Sequence, residues 1–310
     1  MPTQSFPSPE SHAAAVQNAH LRISILRKSY VPWTMRTLDL HRLRAQWGLV
    51  GAGTVVEGTV GPSGVLIGIA TQNAQVMRLN GRRLDAQTFT LQMPGDELCL
   101  SSADWHGWFA MFIPNALLAE WRGIDNLAIE PSPRFIQIPW ERAEAFHRVL
   151  AQLVSIDQGV PGALESTGAV DTTARKLMES VRKALWGQPA LTTQVGRPSI
   201  PRRQVVRAVM DSIAQRDGEY LTVADLAFAA GVSERTLRTV FQEYFGMGPV
   251  QYLKLRTLNL IRKELKTADP SVTTITQVAT RFGVWELGRL ARDYQGLFGE
   301  RPSETLRCAR

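Results

Sequence analysis

The chain runs to 310 residues with 44% hydrophobic content, which allows two domains with cores of their own. No stretch of about 18 apolar residues occurs, the start is polar and Pro-rich, and the two cysteines, Cys99 and Cys308, supply no disulfide framework, so a soluble cytoplasmic protein is expected rather than a membrane-spanning, exported or disulfide-stapled one. The formal net charge of +7 is uneven: residues 197–310 hold 18 Lys and Arg against 12 Asp and Glu, the rest 17 against 16, so the basic surplus lies where a polyanion would be met.

Residues 1–16 (MPTQSFPSPESHAAAV) are rich in Pro, Ser and small side chains and predict a mobile leader. Residues 38–47 alternate as one strand, and residues 50–60 are dense in Gly and β-branched side chains. Residues 64–70, 74–79, 88–93, 97–101 and 105–113 continue a series of short strands separated by Gly, Asn, Asp and Pro, which predicts a small antiparallel barrel or jelly roll. Asn80-Gly81 predicts a tight hairpin and Pro94-Gly95-Asp96 another turn. After Pro114 the pattern becomes helical at 115–122, 140–158 and 170–186, with a return strand at 135–138. The last two helices are amphipathic and suit either a dimer interface or packing onto the barrel. Residues 187–201, with three prolines and little periodicity, predict a linker between a first domain, 17–186, and a second, 202–310.

A helix over 202–216 leads into a pattern that occurs twice. Its first copy, residues 221–253, reads LTVADLAFAAGVSERTLRTVFQEYFGMGPVQYL. Ala227 is the small residue needed where two helices touch, and Gly231, four places on, can take the left-handed backbone of a tight turn. Leu226, Ala230, Val232, Leu237 and Val240 fall at inward spacings. Ser233 stands at an N-cap, and Gly246 and Pro249 stop the second helix, 233–245. The second copy, residues 274–306, reads TITQVATRFGVWELGRLARDYQGLFGERPSETL. Ala279, Gly283 and Val284 follow their counterparts by 52 residues, whereas Leu290, Phe298, Gly299 and Pro302 follow by 53, so one residue has been added in the second turn. Between the copies, residues 250–266 carry Leu253, Leu255, Leu258, Ile261 and Leu265 at helical spacing. A rod of about 25 Å can hold two reading helices roughly 34 Å, one turn of DNA, apart on one face of the duplex.

The runs GVSERTLRTVFQEYFGMGPVQYL and GVWELGRLARDYQGLFGERPSETL resemble the AraC/XylS transcription regulators, with Arg292 where that family commonly has a basic residue. Pro94-Gly95-Asp96 is similar to the turn of cupin-like barrels, including the effector domains of many such regulators. The resemblance implies an α+β fold: an N-terminal cupin-like antiparallel β-barrel with dimerisation helices, then an all-α double helix-turn-helix domain. It also implies a homodimer that senses a small-molecule effector, binds double-stranded promoter DNA and recruits RNA polymerase, as an activator by family habit.

The helix-turn-helix pattern turns Ser233, Glu234, Arg235, Thr236, Arg238 and Thr239 outward near the end that enters a major groove. Arg235 and Arg238 have the fork that matches guanine, or they bind phosphate. Glu234 accepts from cytosine or orients Arg238. Glu286, Arg289 and Arg292 are the second-unit candidates. Leu287 and Gly288 replace side chains that are polar elsewhere in the family, so base reading is expected mainly from the first unit, and Trp285 is expected to pack at the turn. For an effector, alternation puts His106, Trp108 and Ala110 on one strand face, and His106-x-Trp108 resembles a pocket strand of the family's arabinose-responsive member; ordinary core residues are the alternative. Arg42 and Arg44 share a face that pairs with an anionic ligand or is simply solvated. The five histidines, His12, His20, His41, His106 and His147, make no HxH or HxxxH pair, and no nucleotide, dinucleotide or hydrolase fingerprint occurs, so no metal, cofactor or enzymatic role is expected. Glu57, Asp96 and Glu97 have no evident acid/base partner. The remaining readings are a catalytic cupin fused to a DNA-binding module and a ligand-independent DNA-binding protein.

Overall fold

The computed structural model describes residues 3–28, 31–40, 43–118, 134–159, 167–185, 202–216 and 218–308. The expected linker, Arg42, Trp186 and residues 119–122 of the helix expected over 115–122 lie outside them. Strand β1 (Gln4–Phe6) and helix α1 (Pro9–Ala15) open the chain where a mobile leader is expected. The Ser8 hydroxyl caps α1 by accepting from the Ser11 amide at 3.2 Å, and Pro9 suits the first turn. His12 is buried edge-on against Phe6 at 5.2 Å and Trp33 at 5.4 Å. A Pro- and Ala-rich start therefore orders once it has a cap and aromatic neighbours.

The sheets are built from β2 (Ala19–Arg27), β3 (Trp33–Asp39), β4 (Arg44–Val50), β5 (Gly53–Val60), β6 (Gly64–Gln72), β7 (Met77–Leu79), β8 (Arg82–Arg83), β9 (Thr88–Gln92), β10 (Glu97–Ser102), β11 (His106–Pro114) and β12 (Arg134–Gln137). Short helix α2 (Asn115–Leu118) precedes β12, and α3 (Trp140–Gly159) and α4 (Thr167–Leu185) follow it. The strand expected over 38–47 is instead the β3–β4 hairpin, closed where the Leu40 amide donates to the Leu43 carbonyl at 2.9 Å. Asn80 and Gly81 take positive φ and join β7 to β8, as a tight hairpin requires.

The expected barrel does not close. The strands form a seven-stranded sheet, β1-β3-β4-β11-β6-β9-β12, and a five-stranded one, β2-β5-β10-β7-β8, both antiparallel. The chain crosses between sheets after β1, β2, β4, β5, β6, β8, β9 and β10, and neither ladder pairs its first strand with its last. The apolar faces of α3 and α4 cover the larger sheet: Phe146, Leu150, Leu177 and Val181 share a core with Ile67, Phe89, Phe109 and Ile136. Of the two roles expected for these helices, packing on the chain's own sheet is the one their apolar faces perform.

The C-terminal part is α5 (Arg202–Gln215), α6 (Val223–Ala229), α7 (Glu234–Phe245), α8 (Pro249–Thr267), α9 (Ile275–Arg281), α10 (Leu287–Phe298) and α11 (Pro302–Arg307). It docks on the smaller sheet. Val55 and Cys99 join the core of Val205, Leu237, Phe241 and Tyr252, while Ile25 and Ala52 join that of Leu258, Ile261, Val278 and Tyr294. Polar links fix the register of this contact. The Tyr252 hydroxyl donates to Glu57 at 2.9 Å, and the Ser101 hydroxyl to the Tyr244 carbonyl at 2.7 Å. The Asn259 amide both accepts from and donates to the Ile25 backbone at 3.0 Å. Glu97 pairs with Arg207 at 2.9 Å and Asp96 faces Arg203 at 4.0 Å, so all three carboxylates of the sheet that lacked an evident partner face helices of the C-terminal part.

Candidate nucleic-acid interface

The duplication is repeated in the capping box of the first helix and in the turn of each unit. Thr222 and Asp225 form a capping box on α6, and Thr274 and Gln277, 52 residues later, form one on α9. At the first turn the Gly231 amide donates to Phe228 at 3.0 Å and the Val232 amide to Ala227 at 3.0 Å. At the second, Gly283 donates to Thr280 at 3.0 Å and Val284 to Ala279 at 2.9 Å. Both glycines have positive φ, 63° and 71°, which a Cβ would strain. Gly246 and Gly299 end α7 and α10 in left-handed caps. Replacing Thr222 with Ala removes one of these boxes; thermal unfolding is expected to register a loss of about 1 kcal/mol.

Leu237, Val240, Phe241, Tyr244 and Phe245 bury one side of α7 and leave Glu234, Arg235, Thr236, Arg238 and Thr239 exposed on the other. The hydroxyls on that side serve the helix itself. Ser233 accepts from the Thr236 amide at 3.2 Å, the two hydroxyls stand 2.9 Å apart, and Thr239 donates to the Arg235 carbonyl at 3.2 Å. The charged ends of Glu234, Arg235 and Arg238 have no partner among the described residues. Six expected contact residues thus divide into three that hold the helix end and three that project from it.

The second unit differs as the added residue requires. Helix α10 starts at Leu287, and its N-cap, Glu286, makes no side-chain cap bond. Val284 takes the inward place at the turn, so Trp285, expected to pack, is instead 76% exposed. Leu287 is also exposed. Arg289 lies between Glu286 at 3.7 Å and Asp293 at 3.8 Å, whereas Arg292 is exposed with no described partner. Helix α8 joins the units over 19 residues, a span of roughly 28 Å.

Behind the smaller sheet lies a cavity of about 130 Å³ between the two sheets. Its lining includes His106, Trp108 and Ala110 from β11, the face expected from alternation, with His12 from α1. His12 and His106 are each 1% exposed, and burial pushes both imidazoles down to about 4. Arg44 also borders the cavity, but it pairs with Asp39 at 3.4 Å and its side chain is half exposed. Sequence reasoning missed His12, hidden in a segment read as mobile, and Gln92, whose alternation within β9 could have placed it. Among the described residues no cluster of three or more His, Cys, Asp or Glu side chains is placed to share a metal ion, and no helix is long and apolar enough to cross a membrane.

A family model described as a helix-turn-helix domain matches residues 226–307. Over 111 residues the chain is 38% identical to the probable thc operon regulatory protein of Rhodococcus erythropolis, covering 36% of this chain and only 33% of that one. It is 33% identical over 111 residues to XylDLEGF operon transcriptional activator 2 of Pseudomonas putida, covering 36% of this chain and 67% of that protein. Among solved structures, the AraC-like transcriptional activator CuxR aligns with 83% of this chain and 93% of its own at 15% identity and a TM-score of 0.43.

Proposed function

The chain belongs to the AraC/XylS family of helix-turn-helix transcription regulators, and from that premise we propose that it is a sequence-specific activator that binds promoter DNA through both units and is controlled by a small molecule held between its sheets. The observation that carries this reading is the pair of units with matching capping boxes and turns, joined by one helix, with Arg235 and Arg238 projecting from the first with no partner among the described residues. In it Arg235, Arg238 and Glu234 read bases, while Ser233, Thr236 and Thr239 hold the helix end against the groove. Arg289, beside Glu286, and Arg292 contact phosphate in the second unit.

The cavity supplies the sensory half. His106 and Trp108 are its proposed ligand contacts, and a ligand that binds one arrangement of sheet and reading units better than another shifts the population toward it. The contact between the smaller sheet and α5, α7 and α8 is the route by which that preference reaches the DNA-binding part. Homodimerisation, RNA polymerase recruitment and a cytoplasmic site of action complete the proposal. No observation favours a catalytic cupin.

Selection of binding sites from random duplexes tests the central claim. The selected site is expected to hold one box read by α7, and footprinting of it should show protection extending about one helical turn further along the same face, where the second unit grips phosphate without base preference. Protection confined to the first box, or continued on the opposite face of the duplex, refutes the reading.

A further inference from the structure

Resting on the sensory reading above, we infer that the cavity between the sheets takes an uncharged single-ring aromatic molecule carrying a hydrogen-bond donor, of the phenol class. Size sets the first limit. The volume of about 130 Å³ is close to the roughly 150 Å³ in which an apolar protein cavity accepts a benzene ring. Walls such as Leu21, Ile23, Val56, Leu66, Met77 and Leu100 offer a sugar's hydroxyls no partners, so a pentose of similar volume would lose hydration without recompense.

Charge sets the second limit. Among the described residues no Asp or Glu lines the cavity, and Arg44 is engaged with Asp39 at the solvent edge. His12 and His106 are held neutral near pH 7 by burial. A carboxylate or an ammonium would therefore be desolvated here without a counter-charge.

Polarity of the unsatisfied groups sets the third. The Thr90 hydroxyl donates to the Gly68 carbonyl at 3.2 Å and accepts from Gln92 Nε2 at 3.1 Å, which turns the Gln92 carboxamide so that Oε1 is the atom left over. Gln92 is 3% exposed, and its Oε1 has no hydrogen-bond partner among the described residues. His106 is 1% exposed, and its Nδ1 is likewise buried without a partner among the described residues. A neutral imidazole carries a single ring proton, so one of its two nitrogens is a lone-pair acceptor. An orphaned carboxamide oxygen, together with the unpartnered ring nitrogens of His12 and His106 in a mostly apolar lining, calls for a ligand that brings an O–H or N–H. Trp108 supplies an aromatic face for its ring.

Thermal unfolding of the full chain at neutral pH with phenol, toluene, benzoate and a pentose tests this. Phenol is expected to raise Tm saturably, toluene about tenfold more weakly, and benzoate and the pentose not at all. In the double variant Gln92→Leu, His106→Phe, the preference for phenol over toluene should shrink to within about twofold while toluene still binds. Unliganded Tm checks its folding, and Gln92→Leu alone, with a partial loss of preference, serves if the double variant does not fold. Stronger stabilisation by benzoate or the pentose than by phenol overturns the ligand class and leaves the sensory reading standing. No shift with any probe, while selective DNA binding persists, overturns the class and the sensory reading together.

Discussion

Replacing Arg235 and Arg238 together with alanine is expected to weaken binding to a selected operator by about 2 to 6 kcal/mol at fixed salt. Each guanidinium is exposed near the start of α7, with no described partner to release before it meets DNA. Each then contributes about 1 to 3 kcal/mol if it grips guanine, and the two are near enough on one helix that their effects need not add. The single variants separate the modes. A base-reading Arg235 leaves the salt dependence almost unchanged when removed and relaxes preference at one position; a phosphate contact weakens all sequences alike and lowers the salt slope by about one. Arg289→Ala is the contrast: its charge already sits between Glu286 and Asp293, so its loss should matter less than that of Arg235. Equal losses for Arg289 and Arg235 would show that the second unit reads as strongly as the first.

What the sequence disclosed follows from which forces act locally. Caps, turn glycines and inward Leu or Val positions are properties of a few neighbouring residues, so both helix-turn-helix units could be placed from their spacing, down to Ser233 as a cap. The Thr222-x-x-Asp225 and Thr274-x-x-Gln277 boxes were equally local and could have been read. Short strands were legible for the same reason, but not their partition into two sheets, which depends on pairings such as Leu66 with Gln92 that no local pattern encodes. Trp285 was misplaced because the repeat fixes the turn only up to the added residue. The docking of α7 and α8 was hidden in β5 and β10, where Val55 and Cys99 face another domain rather than solvent. Arg256, one of several basic residues along α8, is buried and donates to the Ile213, Arg216 and Glu219 carbonyls around the end of α5. A long cation at helical spacing reads as solvated until a helix end is found beside it.

Acidification from about pH 7 to about pH 4.5 should destabilise the fold by several kcal/mol through His12 and His106, because burial holds both neutral. Desolvation is the dominant cause for each ring, partly offset by the nearby backbone of Thr34 or Asp104, and a charge on His12 further disfavours one on His106. The sign follows from proton counts. Above about 6.5 neither state binds these protons; between that value and about 4 only the unfolded chain does, so stability falls with pH and levels off below. A depression from about 6.5 to about 4 corresponds to roughly 3 kcal/mol per ring, large against a domain stability of about 5 to 15 kcal/mol. Carboxylates such as Asp225, held below its usual range by the Thr222 hydroxyl and amide, lose their contribution only at lower pH, which leaves the window from about 6.5 to 4.5 to the histidines. Urea unfolding at both pH values checks this, with His12→Phe, His106→Phe as the comparison. The variant should lose most of the difference between the two pH values, since phenylalanine fills a similar aromatic site beside Phe6 and Trp33 without a titrating group. An undiminished difference would assign the acid sensitivity to groups other than these two rings.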